Sequence, residues 1–139
     1  MFNLTAPILP GHSAAGIRLG QPIEEVLFHA PVPIVETLST LTVYRFGAIW
    51  VWVQDGRVHQ VGVFVGYAGT LPSGVGLGTS LAEVQRRIGR VVQDCDGTLI
   101  VEGSDGWCFD TSAWNGFEVK QNLEAILVEM FVHASTNGK

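Results

Sequence analysis

The residues of this chain that could do chemistry are scattered, at spacings that no familiar catalytic or metal centre uses. The histidines His12, His29, His59 and His133 never fall three to five residues apart, and no C-x-x-C accompanies them. The ligand spacing of a zinc site is therefore missing. A Cys–His nucleophile is formally possible with Cys95 or Cys108, but neither sits in a local signature. No serine lies in G-x-S-x-G. A glycosidase-like carboxylate pair would be an arbitrary choice among 13 acids. Asp94-Cys95-Asp96-Gly97 starts like a calcium loop, but the third oxygen ligand and the distant glutamate do not follow. A turn between strands is the expectation there. Gly74-Val75-Gly76-Leu77-Gly78-Thr79-Ser80 invites a phosphate-loop reading. It has no lysine before Thr79-Ser80, and its glycine spacing is not G-x-G-x-x-G.

That glycine string is one of two similar stretches in the chain. Gly16 to Val26 reads GIRLGQPIEEV, and Gly74 to Val84 reads GVGLGTSLAEV. The position equivalent to Gly76 is Arg18, so the shared residues are the outer glycines, the leucine and the closing Glu-Val. Those suit a tight entry into a helix followed by an apolar anchor. An internal repeat of this kind constrains architecture directly.

Each copy predicts a short helix. Pro22 suits a first helical position, and Ile23, Val26 and Leu27 form an apolar stripe that Pro31 and Pro33 end. The second helix is expected from about Ser80 to Ile88, with Ser80 and Glu83 spaced as a capping box and Leu81, Val84 and Ile88 buried. Strands are expected at Leu41–Phe46, Ala48–Gln54 and Arg57–Tyr67, with Asp55-Gly56 as a hairpin turn. Further strands are expected near Thr98–Val101, Gly106–Asp110, Gly116–Lys120 and Leu123–His133, with Gln121-Asn122 as a tight turn. Met1 to Ala15 reads as an irregular lead-in. Val51–Thr70 and Phe117–Thr136 share a strand, turn, longer-strand pattern. The expected fold is α+β: one domain, residues 1–139, of two tandem repeats (about 16–70 and 74–136) joined by a linker at 69–78. Each repeat is a short helix followed by an antiparallel β-meander, with the helices packed on one sheet face.

The aromatic and acidic residues are the candidates for function. Alternation in Ala48–Val53 puts Trp50 and Trp52 on one face and Ile49, Val51 and Val53 on the other. Both faces are apolar, so the one not covered by helices needs another cover: a loop, a second protomer or a partner. The plainer alternative is that these rings fill the core. Trp107 and Trp114 add two large rings in the acidic half. Between Asp94 and Glu129 lie Asp94, Asp96, Glu102, Asp105, Asp110, Glu118, Glu124 and Glu129, with Lys120 the only base. Such a half repels nucleic-acid phosphates and attracts a basic partner, or simply forms a solvated acidic surface.

The copies GIRLGQPIEEV and GVGLGTSLAEV resemble the helix-opening motif of β-lactamase-inhibitory-protein-like and SmpA/OmlA-type repeat domains. The tandem arrangement is more similar to the inhibitory protein, whose repeats form a concave sheet that grips another protein. The resemblance implies a non-enzymatic protein-binding module. The chain departs from both families in showing no secretion signal, no lipoprotein cysteine near Met1 and no set of paired disulfides.

The expected function is a cytoplasmic immunity or inhibitor protein that occludes a bacterial toxin. Trp50, Trp52, Trp107 and Trp114 would be its apolar anchors, while Asp94, Asp96, Asp105 and Asp110 steer a basic partner. No cofactor, metal, nucleic acid or membrane partner is expected. Every apolar run is interrupted by polar residues, and Cys95 and Cys108 read as thiols in a reducing compartment. Two alternatives stand beside it. One is a small-ligand binder or enzyme with a pocket holding His59, His133 or paired acids. The other is a homo-oligomer whose tryptophan face pairs with itself.

Overall fold

In the computed structural model, which describes residues 2–94, 97–112 and 123–135, the chain opens with β1 (Ser13–Ala14), β2 (Ile17–Arg18) and α1 (Ile23–His29). It continues through β3 (Ile34–Leu38), β4 (Leu41–Phe46), β5 (Ile49–Gln54) and β6 (Arg57–Val63). Then come α2 (Leu81–Arg87), β7 (Val91–Gln93), β8 (Leu99–Val101), β9 (Ser104–Thr111) and β10 (Leu127–His133). β1 and β2 pair as a small ribbon; β3 to β10 form an eight-stranded sheet in the order β3-β4-β5-β6-β10-β9-β8-β7. Every pairing in it is antiparallel. The architecture is α+β, an antiparallel sheet with two short helices.

Local chemistry accounts for most boundaries. Asp55 and Gly56 take φ of 53° and 76°, the left-handed pair that a two-residue hairpin turn needs between β5 and β6. Pro22 is the N-cap of α1, and the prolines after His29 keep it to seven residues. Ser80 caps α2, its Oγ accepting from the Glu83 N–H at 3.2 Å. The reciprocal half of the expected box does not form, because the Glu83 carboxylate turns to Arg86 and Arg87 instead.

One face of the sheet makes the core. Ile49, Val51 and Val53 of β5, Val61 and Val63 of β6, Met130 and Val132 of β10, and Trp107 and Phe109 of β9 form one buried cluster with Ile23 and Val26 of α1 and Leu81 and Val84 of α2. Both helices thus cover the same face, as expected from their stripes.

Some sequence expectations need correction. The strand expected to reach Tyr67 ends at Val63, because Phe64 to Tyr67 turns back, with the Tyr67 N–H donating to the Phe64 carbonyl at 3.0 Å. The strand expected from Leu123 starts at Leu127, because Ala125 and Leu127 bond to Leu81 and Thr79 at the entry of α2. The lead-in is ordered structure: Ile8 is fully buried, its N–H donates to the Thr70 carbonyl at 2.8 Å, and the Gly11 N–H reaches the Gly106 carbonyl at 3.0 Å. β3 and β7, both short edge strands, carry no strong alternation and escape a sequence reading. Residues 69–78 do more than link: Leu71 and Val75 are core residues, and Thr70 bridges Gly76. At the expected turn after Asp94, the Asp94 N–H donates to the Thr98 carbonyl at 2.7 Å and the Gly97 N–H to the Asp94 carbonyl at 3.1 Å, while Cys95 and Asp96 lie outside the described residues. The expected strand Gly116–Lys120 and turn Gln121-Asn122 lie outside the described residues.

Candidate functional site

Residues directly opposite one another in an antiparallel pair share a sheet face. The registers therefore draw two rows across the face away from the helices. Ile34, Arg45, Trp50, Gly62, Phe131 and Cys108 lie side by side on β3, β4, β5, β6, β10 and β9. Glu36, Val43, Trp52, Gln60 and His133 form the next row. Gly62 is the gap that lets the rings meet. A Cβ there would stand 2.9 Å from the Trp52 ring and 3.0 Å from Phe131. Without one, Trp52 and Phe131 pack edge to face at 5.8 Å, Trp50 lies 6.0 Å from Trp52, and Phe64 closes the group at 4.7 Å from Trp50 and 5.8 Å from Phe131. Val43, Cys108 and Phe131 are buried in this layer while Trp50, Trp52 and Phe64 remain part-exposed. No helix packs on this face among the described residues: the apolar side chains that α1 and α2 bury belong to the cluster on the opposite face.

Charge rims the aromatics. The Arg45 guanidinium lies 4.4 Å over the Trp50 ring and bonds the Glu36 carboxylate. Its Nε is buried with no hydrogen-bond acceptor, so the ring and the carboxylate together hold the cation. At the other end Asp110 faces Glu129 across β9 and β10 on the same face. Tyr44 and Phe46 alternate with Arg45 and turn to the core side, where both pack on the core cluster.

The remaining candidates sit elsewhere. Trp107 is 1% exposed, stacks on Phe109 at 5.2 Å and donates Nε1–H to Ser104 Oγ at 2.8 Å. Its ring belongs to the core. Asp94 and Asp105 line a shallow groove of about 280 Å³ with Ile100, Glu102, Trp107 and His133. The Asp105 carboxylate already accepts from the Gly106 N–H at 2.8 Å and from Ser135 Oγ at 2.6 Å. Asp96 and Trp114 lie outside the described residues. His59 is exposed on β6 and does not line the groove. Among the described residues no group of three His, Cys, Asp or Glu side chains could hold a metal ion. No helix among the described residues is long and apolar enough to cross a membrane.

The structure brings Trp50, Trp52 and Asp110 to one face and sets Asp94 and Asp105 apart in the groove. Sequence reasoning missed Phe64, Phe131, Arg45 and Gly62. Alternation within Leu127–His133 marks Phe131 as facing away from Met130 and Val132. That it meets Trp52 depends on a pairing between distant strands.

No family model matches the chain, and no curated protein matches it. Among solved structures the chain is similar to the uncharacterized protein yfeY from Escherichia coli, at 14% identity and a TM-score of 0.67. The match covers 92% of this chain and 99% of that one. At that identity the likeness is one of fold alone.

Proposed function

We propose that this chain is a non-enzymatic protein-binding module whose partner seats on the sheet face opposite the two helices. The observation that carries the reading is the aromatic group Trp50, Trp52 and Phe64, part-exposed over a buried Phe131, with Arg45 and Glu36 at its rim. Tryptophans at the centre of an apolar patch are among the side chains that dominate binding energy. In its most concrete form the module is a cytoplasmic inhibitor or immunity protein that occludes a toxin. Asp110 and Glu129 then favour a basic partner and speed its approach.

The tandem-repeat form of the fold belongs to the same proposal, and backbone bonding supports it. Gly16 and Gly74 both take positive φ, as do Gly20 and Gly78. The Gly20 N–H donates to Val58, and the Gly78 N–H donates to Leu127. Val58 returns a bond to Gln21, and Leu127 returns one to Thr79. These contacts equate β6 with β10, the two strands that pair at the centre of the sheet.

Capture from host extract tests the reading. The wild-type chain retains a protein that the folded Trp50→Ala/Trp52→Ser double variant loses, with a loss of at least about 2 kcal/mol in affinity. Retention of the same proteins by both chains counts against it. Co-expression with the product of the adjacent gene, scored as rescue of growth, tests the immunity form. A small-ligand reading draws support from Asp94, Glu102, Asp105 and His133 around the groove. The groove's 280 Å³ falls just short of the roughly 300–1,000 Å³ of ligand pockets. Glu102→Ala, in the groove and outside both rows of the aromatic face, leaves partner capture intact if the aromatic face is the site.

A further inference from the structure

Large apolar side chains are exposed along one stretch of the chain: Phe28 at 82%, Val32 at 95%, Ile34 at 68%, Val35 at 52% and Leu38 at 43%. Three of them belong to β3, all five residues of which are exposed. β3 is an edge strand, bonded among the described residues to β4 alone. The two-residue turn at Ser39 and Thr40 makes Leu38 and Leu41 a hydrogen-bonded pair. Alternation then points the N–H and C=O groups of Glu36 and Ile34 at β4, and those of Val35 and Thr37 at the open edge. A long apolar edge with free backbone groups is a template for another strand, and proteins ordinarily blunt such edges with charge, bulges or a cover.

We propose that β3 pairs with β3 of a second copy, antiparallel about a two-fold axis at Val35, joining two sheets into one. This inference is independent of the aromatic surface described above. The edge is self-complementary in that register. Val35 faces Val35 of the other copy, Ile34 faces Glu36, and Val32 faces Leu38. The Val35 N–H groups bond each other's carbonyls, and the Thr37 N–H groups bond the Pro33 carbonyls. Proline has a carbonyl but no N–H, so Pro33 accepts what Thr37 donates. The register centred on Glu36 instead sets two carboxylates directly opposite, which destabilises a pair. Centred on Val35, each Glu36 lies in line with Arg45 of the other copy, across two strand spacings of about 10 Å. Each carboxylate then has a cation on both sides, since Arg45 of its own copy already bonds it. A single strand buries less than the roughly 800 Å² per partner of a standard interface, so the dimer is weak and forms with rising concentration.

Sedimentation equilibrium of the whole chain from about 10 μM to about 1 mM tests this, the range expected of a sub-standard interface. Wild type shifts from monomer to dimer. Val35→Pro removes one edge N–H without touching the β4 ladder, and Val35→Lys places a charge on the axis. Each weakens association at least tenfold while retaining its far-UV spectrum; if the proline variant unfolds, the lysine variant decides. Val35→Cys under mild oxidation cross-links to a dimer, while wild type treated alike, carrying its own cysteines, stays monomeric on a denaturing gel. Wild type that remains monomeric throughout, or a dimer that neither variant weakens, overturns the proposal.

Discussion

Tyr67 holds the N-terminal segment to the core through one hydroxyl. Its oxygen accepts from the Ala15 N–H at 2.9 Å and its O–H donates to the Ala6 carbonyl. Burial pushes its pKa above the ordinary phenol value, against the opposing pull of the Ala15 bond. Tyr67→Phe strands both backbone groups and should cost about 1–3 kcal/mol in urea unfolding. The pH dependence follows from linkage. The folded state holds the proton more tightly than the unfolded chain, whose tyrosine titrates near about 10. The contribution is therefore complete below that value and lost as pH rises through the folded pKa. The gap between wild type and Tyr67→Phe should narrow above pH ~10; a constant gap would refute the assignment. Glu83 behaves differently. Hydrogen bonds from Arg86 and then Arg87 lower its pKa to about 2, but on an exposed helix face such an ion pair adds little stability.

The elements rest on a few contacts that single changes can probe. Ser80 stands at the entry of α2, where its Oγ satisfies one of the helix's free N–H groups. Ser80→Ala should destabilise by about 1 kcal/mol, read as a lower urea midpoint with unchanged slope. Gly62→Ala acts on the opposite face of the sheet. Its added methyl meets the Trp52 and Phe131 rings, an overpacking of about 1–3 kcal/mol. Tryptophan fluorescence should shift with it, since Trp52 must move. Unaltered emission and stability would mean that the rings do not close over Gly62. These elements also mark how far the chain's own pattern reaches. The β5–β6 hairpin and the two helix starts were legible because turn chemistry, capping and alternation act over a few neighbouring residues. β3 was not, because a strand exposed along its whole length lacks the one-sided burial that writes alternation into a sequence, and β7 was not, because three residues are too few to show alternation.

At the scale of the molecule, the segment before β1 is part of the fold. Ile8 is fully buried in the core cluster, and the backbone around it bonds Thr70 and Gly106. Ile8→Ala should cost about 2–5 kcal/mol in a single cooperative transition; a change below 1 kcal/mol would place this segment outside the folding unit. Local patterning alone specifies the α+β class, the helix-entry motif with its paired glycines, and the split of β5 into a tryptophan face and a core face. All of these depend on neighbours within one element. Long-range packing sets the rest: β6 pairs with β10, Phe131 and Phe64 complete the aromatic group around Gly62, Trp107 lies in the core, and β3 stands at the edge of the sheet among the described residues. The physical reason is register. Strands far apart in the chain meet through backbone bonds that any residue can make, so the partner and the face are chosen by the packing of the whole sheet.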